Sequence, residues 1–279
     1  MKTSQEIVTI MKKKKQQPRI NVVISDTHCG SDVGLLPREV VFEDGHTIGH
    51  GSNPWQSWLW GCYEDAIGKV ASITGGEDFI LTITGDATEA HHHRSDEIVA
   101  IKMVEHLEIA KQCLSPLANM AHETIVIRGT ECHTGDWESL LARELGAGRK
   151  ALDVAQYRMA GVLVDARHHM PTTARLHLES GGLGVAMANN RSNALRCGHE
   201  PARVFLRGHR HIPGSYSDGE SMMVVTGGWQ GLTRHGKKVV TDAVSRPSVA
   251  ILDWRNCDDG QLPALHHIVY NPPQHLAIL

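Results

Sequence analysis

Asp26 and His28 stand two residues apart, just beyond the run Ile20-Asn21-Val22-Val23. A carboxylate and an imidazole so placed at the end of a buried strand can turn toward one cation. Four later segments have the same grammar, a β-rich run and a glycine or stop followed by ligand-type side chains. They are Gly85-Asp86-Ala87-Thr88-Glu89, Gly129-Thr130-Glu131-Cys132-His133, Arg167-His168-His169 and Gly208-His209-Arg210-His211. Carboxylate oxygens and imidazole nitrogens suit Mn, Fe, Zn or Ni, whereas thiolates would point to other sites. Histidine is also the outlier of the composition, at 19 residues, and it is the commonest metal ligand.

Each segment follows an element able to hold it. Residues 1–18 read as a polar, Lys/Gln-rich arm carrying Lys12-Lys13-Lys14-Lys15, and strand one is expected over 19–25. The stretch 29–53 is loop-like. Apolar spacing from Trp55 to Val70 predicts a helix that starts at Pro54 and stops at Gly75-Gly76. The continuous apolar run 79–84 reads as a buried parallel strand. Ser95 is the expected N-cap of a second helix with Ile98, Ile101, Val104, Leu107, Ala110 and Leu114 on one face. Further strands are expected over 124–127, 161–166, 203–207, 221–226, 248–254 and 264–270, with a short helix from Trp137 to Leu145. Alternating strands and helices followed by accumulating strands predict one α/β domain over 19–279, built of two layered sheets flanked by helices. Every ligand segment then falls at the carboxyl end of a strand, where open α/β sheets form their sites.

Composition narrows the class. With 28 basic and 31 acidic residues, net charge singles out no nucleic-acid or membrane partner. Six irregularly spaced cysteines without a Cys-x-x-Cys read as reduced thiols of a cytoplasmic protein rather than a disulfide framework. No apolar run is long enough to span a membrane, and no signal-peptide core follows the lysines.

In their order, Asp26-Thr27-His28, Gly85-Asp86-Ala87-Thr88-Glu89, the Gly-x-x-x-His of 129–133, a histidine at 168/169 and Gly208-His209-Arg210-His211 resemble the calcineurin-like metallophosphoesterases. The resemblance implies a four-layer α/β/β/α sandwich of two mixed sheets flanked by helices, and a two-metal centre, with Mn favoured and Fe, Zn or Ni as alternatives. It implies that Asp26, His28 and His211 hold one ion, that Asp86 bridges, and that His209 and the histidine of the fourth segment hold the other. Two cations roughly 3.5–4 Å apart generate a hydroxide and clamp a phosphoryl oxygen during in-line displacement. The implied activity is hydrolysis of a phosphodiester or phosphomonoester, with a nuclease acting on DNA or RNA preferred to a phosphatase. The rival is a scaffold protein that keeps the fold.

The third segment departs from the family's Gly-Asn-His. Either Glu131 supplies an oxygen in place of the amide or Thr130 stands at the asparagine position, and Cys132 is expected as a buried neutral thiol. His133 is assigned as leaving-group proton donor, with Asp86 the other catalytic residue. Between His168 and His169 the preference falls on His169, because neighbours on a strand point opposite ways. Asp165 or Glu89 is expected to orient an imidazole. Arg210 and His91 are the expected substrate contacts. The arginines and lysines at 191, 196, 203, 207, 210, 234, 237 and 238 give the C-terminal half a basic lean. Trp229 is expected in the core.

Overall fold

The computed structural model describes residues 17–91, 96–134, 136–170, 179–234, 236 and 244–277. Most of the proposed arm, Ser95, and His92 and His93 lie outside them.

Ile20–Ile24 forms strand β1, wholly buried. It pairs in parallel with β4 (Phe79–Ile83), which pairs in parallel with β5 (Glu123–Val126). On its other side β1 pairs antiparallel with β11 (Ser248–Asp253), itself antiparallel to β12 (Ala264–Val269). A second mixed sheet runs β6 (Ala155–Met159), β7 (Val162–Ala166), β8 (Val204–Arg207), β10 (Met222–Val225), β9 (Gly214–Ser217). Its three middle strands are parallel and its edges antiparallel. A small ribbon, β2 (Val40–Val41) with β3 (Thr47–Ile48), lies in the 29–53 loop.

Three apolar clusters define the layers, because alternate strand residues point to opposite faces. Val22 and Ile24 pack with Leu59, Tyr63 and Val70 of α1 (Pro54–Thr74) and Ile109, Leu114 and Leu117 of α2 (Met103–Met120). Val23, Ala250 and Leu252 of the first sheet, with Trp254 just past β11, meet Val164, Val204, Leu206 and Val224 of the second. Phe205, Met223 and Val225 turn outward onto Leu183 and Met187 of α5 (Glu179–Arg196). The order is helices, sheet, sheet, helix, the four-layer α/β/β/α sandwich.

Helix α1 starts where its caps place it. Asn53 accepts from the N–H groups of Trp55 and Gln56, and Gly75 closes the far end at φ 62°. The second helix begins later than the apolar spacing predicts. Glu105 accepts from the Lys102 N–H and sets the start at Met103. Ile98 is bridged to Ser31, and Ile101 is 80% exposed. The apolar period continued upstream by coincidence.

Besides the short β2, β3 and β9 and the helical turn Glu131–Thr134, two larger elements were invisible in the sequence. Helix α5 holds Gly181, Gly182, Gly184, Asn189 and Asn190, poor helix formers, and packing against the second sheet decides its state. Strand β6 joins β7 through Ala160-Gly161, both at positive φ (46° and 80°). Alanine concealed a turn that normally advertises itself with asparagine or glycine.

All six cysteines are free, and Cys132 is exposed rather than buried. No helix among the described residues is long and apolar enough to cross a membrane.

Candidate metal centre

The five segments converge at the carboxyl ends of β1, β4, β5, β7 and β8. Backbone hydrogen bonds join the first two: Asp26 N–H to Gly85 O at 2.9 Å, His28 N–H to Asp86 O at 3.0 Å, and Cys29 N–H to Ala87 O at 3.0 Å. The Trp229 N–H holds the Asp26 carbonyl at 2.8 Å, and the Trp229 ring is fully buried in the core. Seven non-glycine residues among those described have positive φ, and five of them are Asp26, His28, Asp86, His209 and His211. Left-handed backbone at a side-chain-bearing residue costs about 1–3 kcal/mol. Its concentration here marks a site whose geometry the surrounding fold imposes. A Cβ on Gly129 would stand 2.1 Å from Asp86 Oδ1, and one on Gly208 2.0 Å from Ser25 Oγ. Both motif glycines are therefore required by close approach.

Four overlapping groups of ligand atoms result: Asp26, His28, His211; Asp26, Asp86, His168; His168, His169, His209; and His28, Glu89, His133. His28 Nε2 lies 3.2 Å from His211 Nε2, and His211 Nε2 3.4 Å from Asp26 Oδ1. His168 Nε2 lies 3.0 Å from Asp86 Oδ2 and 3.2 Å from His209 Nδ1. Asp86 Oδ2 also stands 3.9 Å from His28 Nε2, so this carboxylate joins the two halves.

The partners of the remaining ring nitrogens fix what these atoms offer. His28 Nδ1 donates to Glu89 Oε2 at 2.6 Å, and His168 Nδ1 to the Thr84 carbonyl at 2.7 Å. Each neutral ring then directs a bare Nε2 lone pair at other lone pairs and at carboxylate oxygens. That arrangement is repulsive without a cation or a proton among the atoms, and the donor set of imidazole and carboxylate fits a divalent ion. Without an ion, protons take its place. Burial opposes charge on His28, but Glu89, Asp86 and Asp26 raise its pKa to about 9. Burial likewise opposes charge on His168, while Asp86 and Asp26 raise it to about 10. Burial would raise Asp86 and Asp26, yet the facing imidazoles hold both below the ordinary carboxylate range. Burial and the neighbouring His168 lower His209 and His169, which stay neutral.

Several expectations change in detail. His168 is the buried histidine against Asp86, whereas His169 is exposed and joins only the group with His168 and His209. Strand β7 ends at Ala166, so strand alternation does not extend to this pair of histidines. Glu131 is exposed at the start of α3 (Glu131–Thr134), outside the metal-ligand groups. Thr130 faces the centre instead: its N–H donates to Asp86 Oδ1 at 2.6 Å, and its Oγ1 lies 3.2 Å from Asp86 Oδ2 and from His168 Nε2. Glu89 orients His28, but Asp165 binds Arg207 at 2.8 Å and Arg167 at 2.9 Å rather than an imidazole. His133 meets the Glu89 carbonyl at 3.1 Å, with its ring 4.8 Å from that of His28. Arg210 follows His209 in the same loop. His91 turns to the Ile101 carbonyl and stacks on His106, outside the metal-ligand groups.

Two residues were missed. Glu138, on α4 (Trp137–Glu144), is fully buried and accepts from the N–H groups of Gly129 at 2.6 Å and Ala87 at 3.2 Å. It ties the second and third motif loops together, and burial beside Asp86 raises its pKa to about 7. Gln230 donates to Glu89 Oε2 at 2.7 Å and steadies the carboxylate that orients His28. A glutamate at helical spacing and a glutamine after Gly227-Gly228-Trp229 carry no local signature of either role.

The architecture, two mixed sheets packed between helices, is the α/β sandwich that the resemblance in motif order implied. No protein-family model matches the chain, and no curated protein does. Solved structures that resemble it include an archaeal phosphodiesterase, 11% identical over 90% of this chain and 99% of that one, with a TM-score of 0.44. Another is Vps29 of Entamoeba histolytica complexed with zinc, 12% identical over 90% and 99%, with a TM-score of 0.42. A predicted phosphoesterase of Streptococcus pneumoniae is 10% identical over 91% and 99%, with a TM-score of 0.37. These likenesses are loose and assign no activity to this chain.

Proposed function

We propose that the chain is a dinuclear metal-dependent phosphoesterase, folded as one domain over 19–279 and acting in the cytoplasm on phosphodiester or phosphomonoester bonds. The observation that carries this reading is the set of bare imidazole lone pairs aimed at Asp26 and Asp86, with tautomers held by Glu89 and by the Thr84 carbonyl. Asp26, His28 and His211 would hold one ion, His168 and His209 the other with His169 beside them, and Asp86 lies within reach of both groups. Two divalent ions, Mn by preference, would supply Lewis acidity and a nucleophile derived from water at neutral pH.

The chain's own residues do the remaining work. Glu89 and Thr84 keep two rings in the ligating orientation. Glu138 holds the Gly129 and Ala87 amides so that Asp86 and Thr130 keep their places. His133, outside the groups of the second ion, donates a proton to the departing oxygen. Arg210, in the loop of two ligands, contacts a phosphate oxygen.

The alternative, a scaffold that keeps the fold, draws on the third segment, where Thr130 stands in place of an amide. Metal content of the purified protein, paired with Mn-dependent hydrolysis of bis- and mono-p-nitrophenyl phosphate, separates the two. The phosphoesterase reading expects about two ions per chain and hydrolysis. No bound metal and no hydrolysis after Mn addition would overturn it in favour of the scaffold.

A further inference from the structure

We infer that a basic track leading from the metal centre through Arg128 to Arg149 and Lys150 binds the phosphate backbone of a nucleic acid. This rests on the phosphoesterase reading for what stands at the track's inner end. Two adjoining hollows form it. The first, about 470 Å³, is lined by His168 and His169 together with Arg128, Arg167, Arg207 and one carboxylate, Asp153. The second, about 590 Å³, shares Arg128 with the first and adds Arg143, Arg149 and Lys150 against a single carboxylate, Asp136.

Apart from Arg207, the cations here differ from those that gave the C-terminal half its basic lean. Arg191 is paired with Asp218 and Glu220, Arg207 is buried on Asp165, and Arg234 is paired with Asp96. Arg203 is turned onto the carbonyls of Glu220 and Gly260. Lys237 and Lys238 lie outside the described residues. By contrast Arg149 and Lys150 are exposed and make no ion pair among the described residues. Arg143 and Arg128 are held only by surface pairs with Glu144 and Asp153, and such pairs give way readily to a stronger anion. Two polar atoms of lining residues, Arg128 Nε and Ser139 Oγ, are buried with no hydrogen-bond partner.

The spread of the cations selects the ligand. They come from the end of β5, from α4 and from the loop after α4, too many separate positions for one phosphate but suited to successive phosphates of a strand. Neither hollow is lined by Phe, Tyr or Trp, so no aromatic platform for base stacking is present there. The track reads the backbone and tolerates sequence, and its affinity falls steeply with salt through counterion release.

Binding of a labelled phosphorothioate oligodeoxythymidylate, which resists hydrolysis, tests this by fluorescence anisotropy on the metal-loaded protein over a salt series. The double variant Arg149→Ala/Lys150→Ala should bind on the order of tenfold more weakly, with a salt slope shallower by about 0.7 per cation removed. Its thermal midpoint should match the wild type, since both side chains are exposed. The control pair Arg191→Ala/Arg196→Ala, on α5, should bind as the wild type does. Three outcomes overturn the track: no binding by the wild type, an unchanged affinity and slope in the double variant, or an equal loss in the control pair. Failure of the phosphoesterase reading appears elsewhere, in the metal content and p-nitrophenyl phosphate hydrolysis of the wild type.

Discussion

The two halves of the centre are built from different electrostatics. Around His28 and His211 stand the carboxylate of Asp26 and, behind His28, that of Glu89. Around His168 and His209 stand the shared Asp86 and, grouped with it and His168, Asp26, while the ring of His168 is oriented by a neutral carbonyl, Thr84 O, rather than by a carboxylate. Thr130 contributes a hydroxyl in that half. A carboxylate behind a ligating imidazole adds negative charge to its half and strengthens the ligand, as a neutral carbonyl does not. The first half should thus bind its ion more tightly, and dialysis against a chelator should release the ion of the second half first.

The change that breaks this contrast most completely is Asp86→Asn. It removes one oxygen charge from both halves at once, in a position where burial leaves no solvent to compensate. Both ions should be lost, with hydrolysis falling to background, as read by elemental analysis and p-nitrophenyl phosphate turnover. Retention of two ions and full activity would sink the shared-carboxylate arrangement. His133→Ala acts next, on rate alone. Loss of a general acid lowers turnover by about 10²–10⁴-fold, while metal content should stay at the wild-type value. Loss of metal from this variant would make His133 a ligand through its group with His28 and Glu89.

How far the sequence reveals this centre depends on how local each signal is. The convergence of Asp26, His28, Asp86, His209 and His211 is legible because a strand end followed by ligand-type side chains is encoded within a few residues. The layers are legible for the same reason: β1 and β4 are continuous apolar runs, and their buried faces follow from alternation. What stays hidden is settled at long range. Glu138 reaches Gly129 and Ala87 across the fold, Gln230 reaches Glu89 over 141 positions, and α5 is a helix only because Leu183 and Met187 have a sheet to cover. The placing of His168, His169 and Glu131 is equally non-local: β7 stops at Ala166, with His168 against Asp86 and His169 grouped with His168 and His209, and Glu131 is exposed at the start of α3.

Glu89→Gln probes the richer half. The amide keeps the shape but removes the charge behind His28, and such outer partners typically change metal affinity by about 10–100-fold. The loss should fall on the ion of the Asp26 half and leave the other nearly unchanged, so chelation should release the two ions at similar rather than separate concentrations. An unaltered release profile would show that Glu89 contributes packing rather than charge.

Thr130→Asn sharpens the contrast from the opposite side. The threonine N–H already holds Asp86 Oδ1, and its hydroxyl sits 3.2 Å from both Asp86 Oδ2 and His168 Nε2, so a longer side chain at this position starts from a fixed backbone and points into the poorer half. An amide oxygen is a better ligand for a hard divalent ion than an alcohol, and it places no new negative charge beside Asp86. One added ligand atom should tighten the second ion by about tenfold, or ~1.4 kcal/mol, read as a shift in the later-binding step of a metal titration, with the first step unmoved. The small size of the effect is itself informative: a shift in the first step instead would mean that Thr130 serves the Asp26 half, and the division between a carboxylate-rich and a carboxylate-poor half would have been drawn through the wrong residue.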